Sequence, residues 1–166
     1  CLAAWLAAGI PGCAVELVDR NPRRASVAGA LGLPFREPSA ATPDADVVIH
    51  ASGTPDGLVL ALEVAAFEAT IVELSWFGGS VVPLPLGGTF HSKRLTIASS
   101  QVGHVARTQR ARWDTRRRMQ LALTLLASAS LDALITGESD FDTLPTVMAD
   151  LAASPGDTLC HRIRYS

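Results

Sequence analysis

DADVVIHASGTPDGLVLALEVAAFEATIVELSW, residues 44–76, is the stretch that decides the fold. Residues 46–51 are almost wholly apolar, the pattern of a strand buried on both faces of a parallel sheet. Ser52, Gly53, Thr54 and Pro55 then turn the chain into a helix expected to reach about Phe67, with Leu58, Leu62 and Ala65 or Ala66 on one face. Residues 69–74 read as the next buried strand. A strand, a helix and a second strand joined by short turns form a crossover unit, which requires parallel pairing.

The same rhythm extends upstream. Residues 2–8 are rich in Ala and Leu and run into Gly9, Pro11 and Gly12, the signature of a helix that stops. Residues 14–18 form a short β-type run that ends at Asp19. Asn21 as N-cap and Pro22 in the first helical position predict a second helix to about Leu31, closed by Gly32. Residues 34–44 read as a loop. Downstream, the two prolines in residues 81–86 exclude a central strand and leave an edge or interface segment. Further strands are expected at 94–98, 131–136 and 158–164. A helix at about 108–127 should turn Trp113, Leu121 and Leu125 inward, and another at about 142–153 carries Leu144, Val147, Met148 and Leu151.

Composition agrees with one folded unit. The 166 residues are 48% hydrophobic and 18% charged, which excludes disorder. A net charge of −2 gives no bulk reason to bind nucleic acid or an anionic membrane, and Gly, Pro and Ser interrupt the uncharged stretches that could otherwise span one. The mean hydropathy of +0.27 therefore belongs to the core. Cys1, Cys13 and Cys160 form an odd set without metal-type spacing, which favours a reducing cytoplasm over a disulfide framework. The start at Cys1 is read as the start of a piece of a longer chain. Arg107, Arg110, Arg112, Arg116, Arg117 and Arg118 are the one basic cluster, opposed only by Asp114. They spread around the expected helix without interleaved aromatics, which argues against nucleic-acid binding.

In sheets of this kind ligands bind beyond the carboxyl ends of the strands. Asp19 ends the first strand and is followed by Arg20. A carboxylate there can accept hydrogen bonds from both ribose hydroxyls of a dinucleotide and repels a 2′-phosphate, which favours NAD. Arg20, Arg23 and Arg24 offset this, because guanidinium groups at the same turn could hold that phosphate. Asp19 could also do no more than cap a helix. Three further turns follow apolar strands: Ser52, Gly53 and Thr54; Ser75 and Trp76 with Gly78 and Gly79; and Ser99, Ser100 and Gln101 with Gly103. Together they point to one long ligand. The fingerprint G-x-G-x-x-G does not occur, as expected if the strand and turn that carry it precede residue 1.

CLAAWLAAGIPGCAVELVDRNPRR, DADVVIHASGTPDGLVLALE, ATIVELSWFGGSVVPLPL and RLTIASSQVG, in this order, resemble the cofactor-binding half of zinc-dependent medium-chain alcohol dehydrogenases, and ALITGESDFDTLPTVMADL resembles that family's closing segment. The resemblance covers nearly the whole chain. It implies an α/β fold with a Rossmann-like, doubly wound parallel sheet that lacks its first strand and glycine-rich loop. Residues 1–130 would form the nucleotide-binding domain, and 131–166 a closing segment returning toward an absent catalytic domain. It further implies Asp19 on the adenosine ribose, Ser52, Gly53 and Thr54 along the cofactor, Leu74, Ser75 and Trp76 near the nicotinamide, and Ser100 and Gln101 over the same ring. Arg20 and Arg24 belong to the same cofactor set. The family's reaction is hydride transfer between an alcohol or carbonyl carbon and nicotinamide, with zinc polarising the oxygen. The zinc ligands would lie in the absent half, so neither a metal ligand nor a catalytic residue is assigned in this chain. The family also pairs subunits through an edge strand, a place that residues 81–86 match.

Two other classes stay open. A methyltransferase using S-adenosylmethionine would also carry an acid after its second strand, but would usually finish with an antiparallel pair. A non-catalytic binding or dimerisation module is the third. His50, in an apolar strand, is read as a hydrogen-bonded core residue, and Glu73 as a buried-strand acid in need of a partner or an exposed face.

Overall fold

The computed structural model describes residues 1–165. The chain forms two compact units, one made of Cys1–Glu37 together with the segment from Gln120 onward, the other of Pro38–Met119.

The second unit contains the crossover read from residues 44–76. Strand β3 (Ala45–His50), helix α3 (Pro55–Val64), strand β4 (Ala65–Glu73) and strand β5 (Thr96–Ser99) follow in order, and the three strands form one parallel sheet in the order β3-β4-β5. Helix α3 begins where the sequence supplies a complete start signal. Thr54 is its extended N-cap, its hydroxyl accepts the Gly57 N–H at 3.3 Å, and Pro55 fills a position whose N–H would be unpaired in any case. The helix ends earlier than expected. At Ala65 the backbone turns directly to extended geometry, and β4 starts there rather than at Ala69. Burial explains this: Leu58, Ala61, Leu62, Ala65, Ala69, Ile71 and Leu95 form one core, and Ala65 reaches it as the first residue of the strand. Leu62 and Ile71 are the largest side chains fully enclosed.

Residues 81–86 are not a strand. Val82 and Leu84 pack against the core, Val81 is exposed, and a wide helical turn follows at Leu86–Phe90. The expected long helix after residue 108 is also corrected. A single 3-10 turn at Arg107–Gln109 precedes helix α4 (Thr115–Leu125), so Trp113 lies outside the helix with the Arg117 guanidinium 4.3 Å over its ring. Leu121 is exposed, and only Leu125 of the expected pair is half-buried. Asp114, just before the helix, accepts the Arg117 N–H at 2.7 Å and supplies the start signal.

In the first unit helix α1 (Leu2–Ala8) matches the sequence reading, whereas strand β1 shrinks to Leu17–Val18 and helix α2 starts late, at Arg24–Ala30. Asn21 still accepts the Arg23 N–H at 3.0 Å, but this closes a turn before the helix rather than its first turn. The segment read as loop contains strand β2 (Phe35–Arg36), which pairs in parallel with β1. Two residues between prolines carry too little alternation to signal a strand, and the pairing with Leu17 and Val18 decides it. Ala28, Leu31, Leu33 and Leu131 form the core, with Trp5, Leu17 and Phe35 packed on it. Residues 129–134 are a 3-10 segment, so the strand expected at 131–136 begins only at Ile135. Strand β6 (Ile135–Asp140) follows it, then helix α5 (Leu144–Ala153) and strand β7 (Cys160–Arg164), which pairs in parallel with β6. Met148 on α5 is exposed.

Candidate functional site

The carboxyl ends of β3, β4 and β5 lie side by side. The Leu74 N–H donates to the His50 carbonyl at 2.9 Å and the Ser100 N–H to the Glu73 carbonyl at 2.8 Å, so the three turns that leave the strands are held at one rim. Ser52, Gly53, Thr54, Leu74, Ser75, Trp76, Ser100 and Gln101 all belong to this rim.

Beneath it lies a group that sequence reasoning treated as unconnected residues. His50, the last residue of β3, is 5% exposed, and its Nδ1 lies 2.6 Å from Oε2 of Glu73, the last residue of β4. Its Nε2 lies 2.7 Å from the Ser52 hydroxyl, which lies 2.9 Å from the Thr54 hydroxyl. The other Glu73 oxygen accepts the Ser75 N–H at 2.6 Å, and the Ser75 hydroxyl accepts the Gly53 N–H at 3.0 Å. A carboxylate can only accept, so Nδ1 carries the proton toward Glu73. With the imidazole neutral, Nε2 accepts from Ser52, and Ser52 accepts from Thr54. In that neutral form the chain of bonds runs in one direction, from the helix cap to the buried acid. Phe77 stacks on the His50 ring with centroids 6.2 Å apart. Gly57 leaves the space that Ser52 and His50 occupy, since a Cβ there would lie 2.1 Å from Ser52 Oγ.

The reading of His50 as a hydrogen-bonded core residue holds, and Glu73 has its partner. The signal available in the sequence was register: both residues end strands of apolar pattern, although Val47 and Ile49 of β3 are exposed rather than buried as expected, and adjacent parallel strands bring such positions together, here as the pair His50 and Glu73. The arrangement fixes the two hydroxyls and the backbone of the turn before any ligand arrives. Gly53, at φ +66°, makes the turn possible. Trp76 stands 90% exposed beside it.

Asp19, Arg20 and Arg24 belong to the first unit. Asp19 follows β1, and its Oδ1 accepts the Asn21 N–H at 2.8 Å. Asp157 takes up the neighbouring cations: Asn21 donates to it at 2.7 Å, Arg23 forms an ion pair with it, and the Arg24 guanidinium donates to its carbonyl at 2.5 Å. The Asn21 and Arg23 bonds hold the Asp157 carboxyl below its ordinary range. Arg20 is exposed.

Among the described residues no group of three His, Cys, Asp or Glu side chains is arranged to hold a metal ion, all three cysteines are free, and no helix is long and apolar enough to cross a membrane.

No protein-family model matches the sequence, and no curated protein does. Solved structures do match. Galactitol-1-phosphate dehydrogenase from Escherichia coli is similar with a TM-score of 0.74 at 18% identity, over 95% of this chain and 48% of its own. Benzyl alcohol dehydrogenase from Acinetobacter calcoaceticus gives 0.72 at 14% identity, over 99% and 46%. A protein described as a short chain alcohol dehydrogenase from E. coli, complexed with NADH, gives 0.64 at 18% identity, over 92% and 44%. The chain has the fold of the Rossmann-like half of medium-chain dehydrogenases. It spans less than half the length of each of these dehydrogenases. Open parallel sheets in general take ligands beyond the carboxyl ends of their strands.

Proposed function

We propose that this chain is the nicotinamide-binding portion of an alcohol dehydrogenase-like oxidoreductase. The observation that carries the reading is the row of polar turns at the carboxyl ends of three adjacent parallel strands, in a fold shared with a dehydrogenase complexed with NADH. Asp19 would accept the adenosine ribose hydroxyls through the oxygen that Asn21 leaves free. With Arg23 and Arg24 already engaged by Asp157, the turn favours NAD over NADP, and Arg20 is the guanidinium left to favour the phosphate. Ser52, Gly53 and Thr54 would run along the cofactor, with their hydroxyls oriented by His50. Leu74, Ser75 and Trp76 would flank the nicotinamide, and Ser100 and Gln101 would close over it.

The bound nicotinamide supplies hydride chemistry toward a small alcohol or carbonyl substrate. Residues 1–130 carry the cofactor in this reading, and 131–166 lead back to a substrate half that also bears any zinc. Among the described residues no His, Cys, Asp or Glu side chains are grouped to hold such an ion. Free cysteines support a reducing cytoplasm, and exposed Val81 supports homodimerisation through residues 81–86. A parallel rather than antiparallel last pair speaks against a methyltransferase.

Titration with NADH, followed by quenching of tryptophan fluorescence, tests the reading. Binding is expected for NADH and not for S-adenosylmethionine. Asp19→Ala should weaken it by about 1–3 kcal/mol through lost ribose hydrogen bonds. Asp19→Asn, which keeps an acceptor for the Asn21 N–H, separates that loss from a disturbed turn. An unchanged dissociation constant in Asp19→Ala removes the assignment, and failure of both ligands to bind favours a non-catalytic module.

A further inference from the structure

The arginine cluster has no task in the reading above, and the structure divides it. Arg118 donates to the carbonyl oxygens of His104 and Val102, Arg117 donates to that of Arg112 and covers Trp113, and the Arg110 Nε donates to that of Val105 at 3.1 Å. The Arg118 and Arg110 bonds tie down residues 102–105. The tied segment walls a cleft of about 480 Å³ beyond the end of β5, and Arg107 and Arg110 line it with His104, Ser99 and Ser100. Its floor is apolar, with Val72 and Ala98 from the sheet. Arg107 has no side-chain partner among the described residues, and Arg110 commits only its Nε, leaving the Nη donors of its guanidinium fork. No carboxylate lines the cleft. The only acid between Glu73 and Asp132 is Asp114, which caps α4.

We propose that this cleft binds a phosphoryl group of a small phosphorylated molecule, gripped by Arg107, Arg110 and His104. Two guanidinium forks and a serine pair match the several acceptor oxygens of a phosphate, and forked donors fix it in orientation as well as in charge. An apolar floor suits a short carbon skeleton. A nucleic-acid strand would instead need a stripe of cations along an open face. The phosphoryl group has two possible sources, a phosphate ester of the substrate and the pyrophosphate of the dinucleotide proposed above. The cleft itself does not depend on that proposal.

Calorimetric titration at fixed ionic strength, with glycerol 3-phosphate as the probe and glycerol as its uncharged counterpart, tests the site. Glycerol 3-phosphate should bind and glycerol should not. Arg107→Gln, which gives up no internal bond, should weaken glycerol 3-phosphate at least about tenfold with an unchanged melting temperature. Arg116→Gln, outside the cleft, should leave it unchanged. If Arg107→Gln also weakens NADH, the phosphate is the cofactor's; if it weakens glycerol 3-phosphate alone, the phosphate belongs to the substrate. Equal affinity in wild type and Arg107→Gln, equal losses in Arg107→Gln and Arg116→Gln, or no binding of glycerol 3-phosphate overturns the proposal. Failure of the wild type to bind NADH while glycerol 3-phosphate still binds removes the dehydrogenase reading and leaves the site standing.

Discussion

Replacing Glu73 by Ala should be among the most damaging single changes outside the apolar core. Its carboxylate serves two donors, His50 Nδ1 at 2.6 Å and the Ser75 N–H at 2.6 Å, and its side chain and that of His50 are only 12% and 4% exposed. A hydrogen bond to a charged group contributes about 1.5–3 kcal/mol, and a donor left buried without a partner adds its own desolvation cost. The expected loss is about 3–5 kcal/mol, from two such bonds and the donors left without an acceptor. Glu73→Gln should cost about half as much. Its carbonyl still accepts from Ser75, but its NH2 faces Nδ1, so the imidazole must change tautomer and Ser52 must turn its proton away from Nε2. Urea denaturation of Glu73→Ala, His50→Ala and the double variant measures the coupling, expected at about 1–3 kcal/mol. A loss under about 0.5 kcal/mol for Glu73→Ala, or additivity within about 0.3 kcal/mol, would show that the pair is not joined in solution.

Other expectations concern glycine, core and acid. Gly57→Ala should destabilise by about 1–3 kcal/mol, because the new Cβ meets Ser52 Oγ at 2.1 Å and His50 Nε2 at 2.9 Å, whereas Gly29→Ala in α2, where nothing lies within 4 Å, should stabilise by about 0.5–1 kcal/mol. Thermal melting of the two variants in opposite directions is the check. Leu62→Ala should lose about 2–5 kcal/mol in the same assay, since Leu62 is fully enclosed and its neighbours can fill the void only in part. Glu138 bridges Arg162 and Arg164 between β6 and β7, and chiefly its Arg162 bond holds its carboxyl below the ordinary value of 4.5. A depressed carboxyl stabilises the fold above its unfolded value and loses that contribution as pH falls through and below it. The melting temperature of Glu138→Gln should therefore fall less steeply with acidification below about pH 4.5 than that of wild type; parallel curves would refute the assignment.

The elements that the sequence makes legible are those with a local cause. Thr54 and Pro55 start α3 because a hydroxyl and an imino nitrogen suffice to satisfy a helix start, and most of residues 46–51 and 69–74 lie in β3 and β4 because apolar β-branched runs have few alternatives. The strand-end turns follow from the same pattern, so Ser52, Ser75 and Ser100 were readable as rim residues. What failed locally had a distant cause. Strand β2 exists through its pairing with β1, β4 begins at Ala65 because that residue reaches a core assembled from α3, β4 and Leu95, and Trp113 left the expected helix to lie under Arg117.

Sequence by itself determined the alternation of strands and helices, the parallel sense that short crossovers impose, and the place along the chain where the strand-end turns fall. Only the tertiary structure decided which side chains meet. His50 and Glu73 are separated by 23 positions and share no motif, so their pairing depends on the register of β3 against β4. The division of the arginines likewise depends on where the backbone of residues 102–105 folds back onto Arg110 and Arg118. Hydrogen bonds act over about 3 Å, and no periodicity in the sequence resolves that distance.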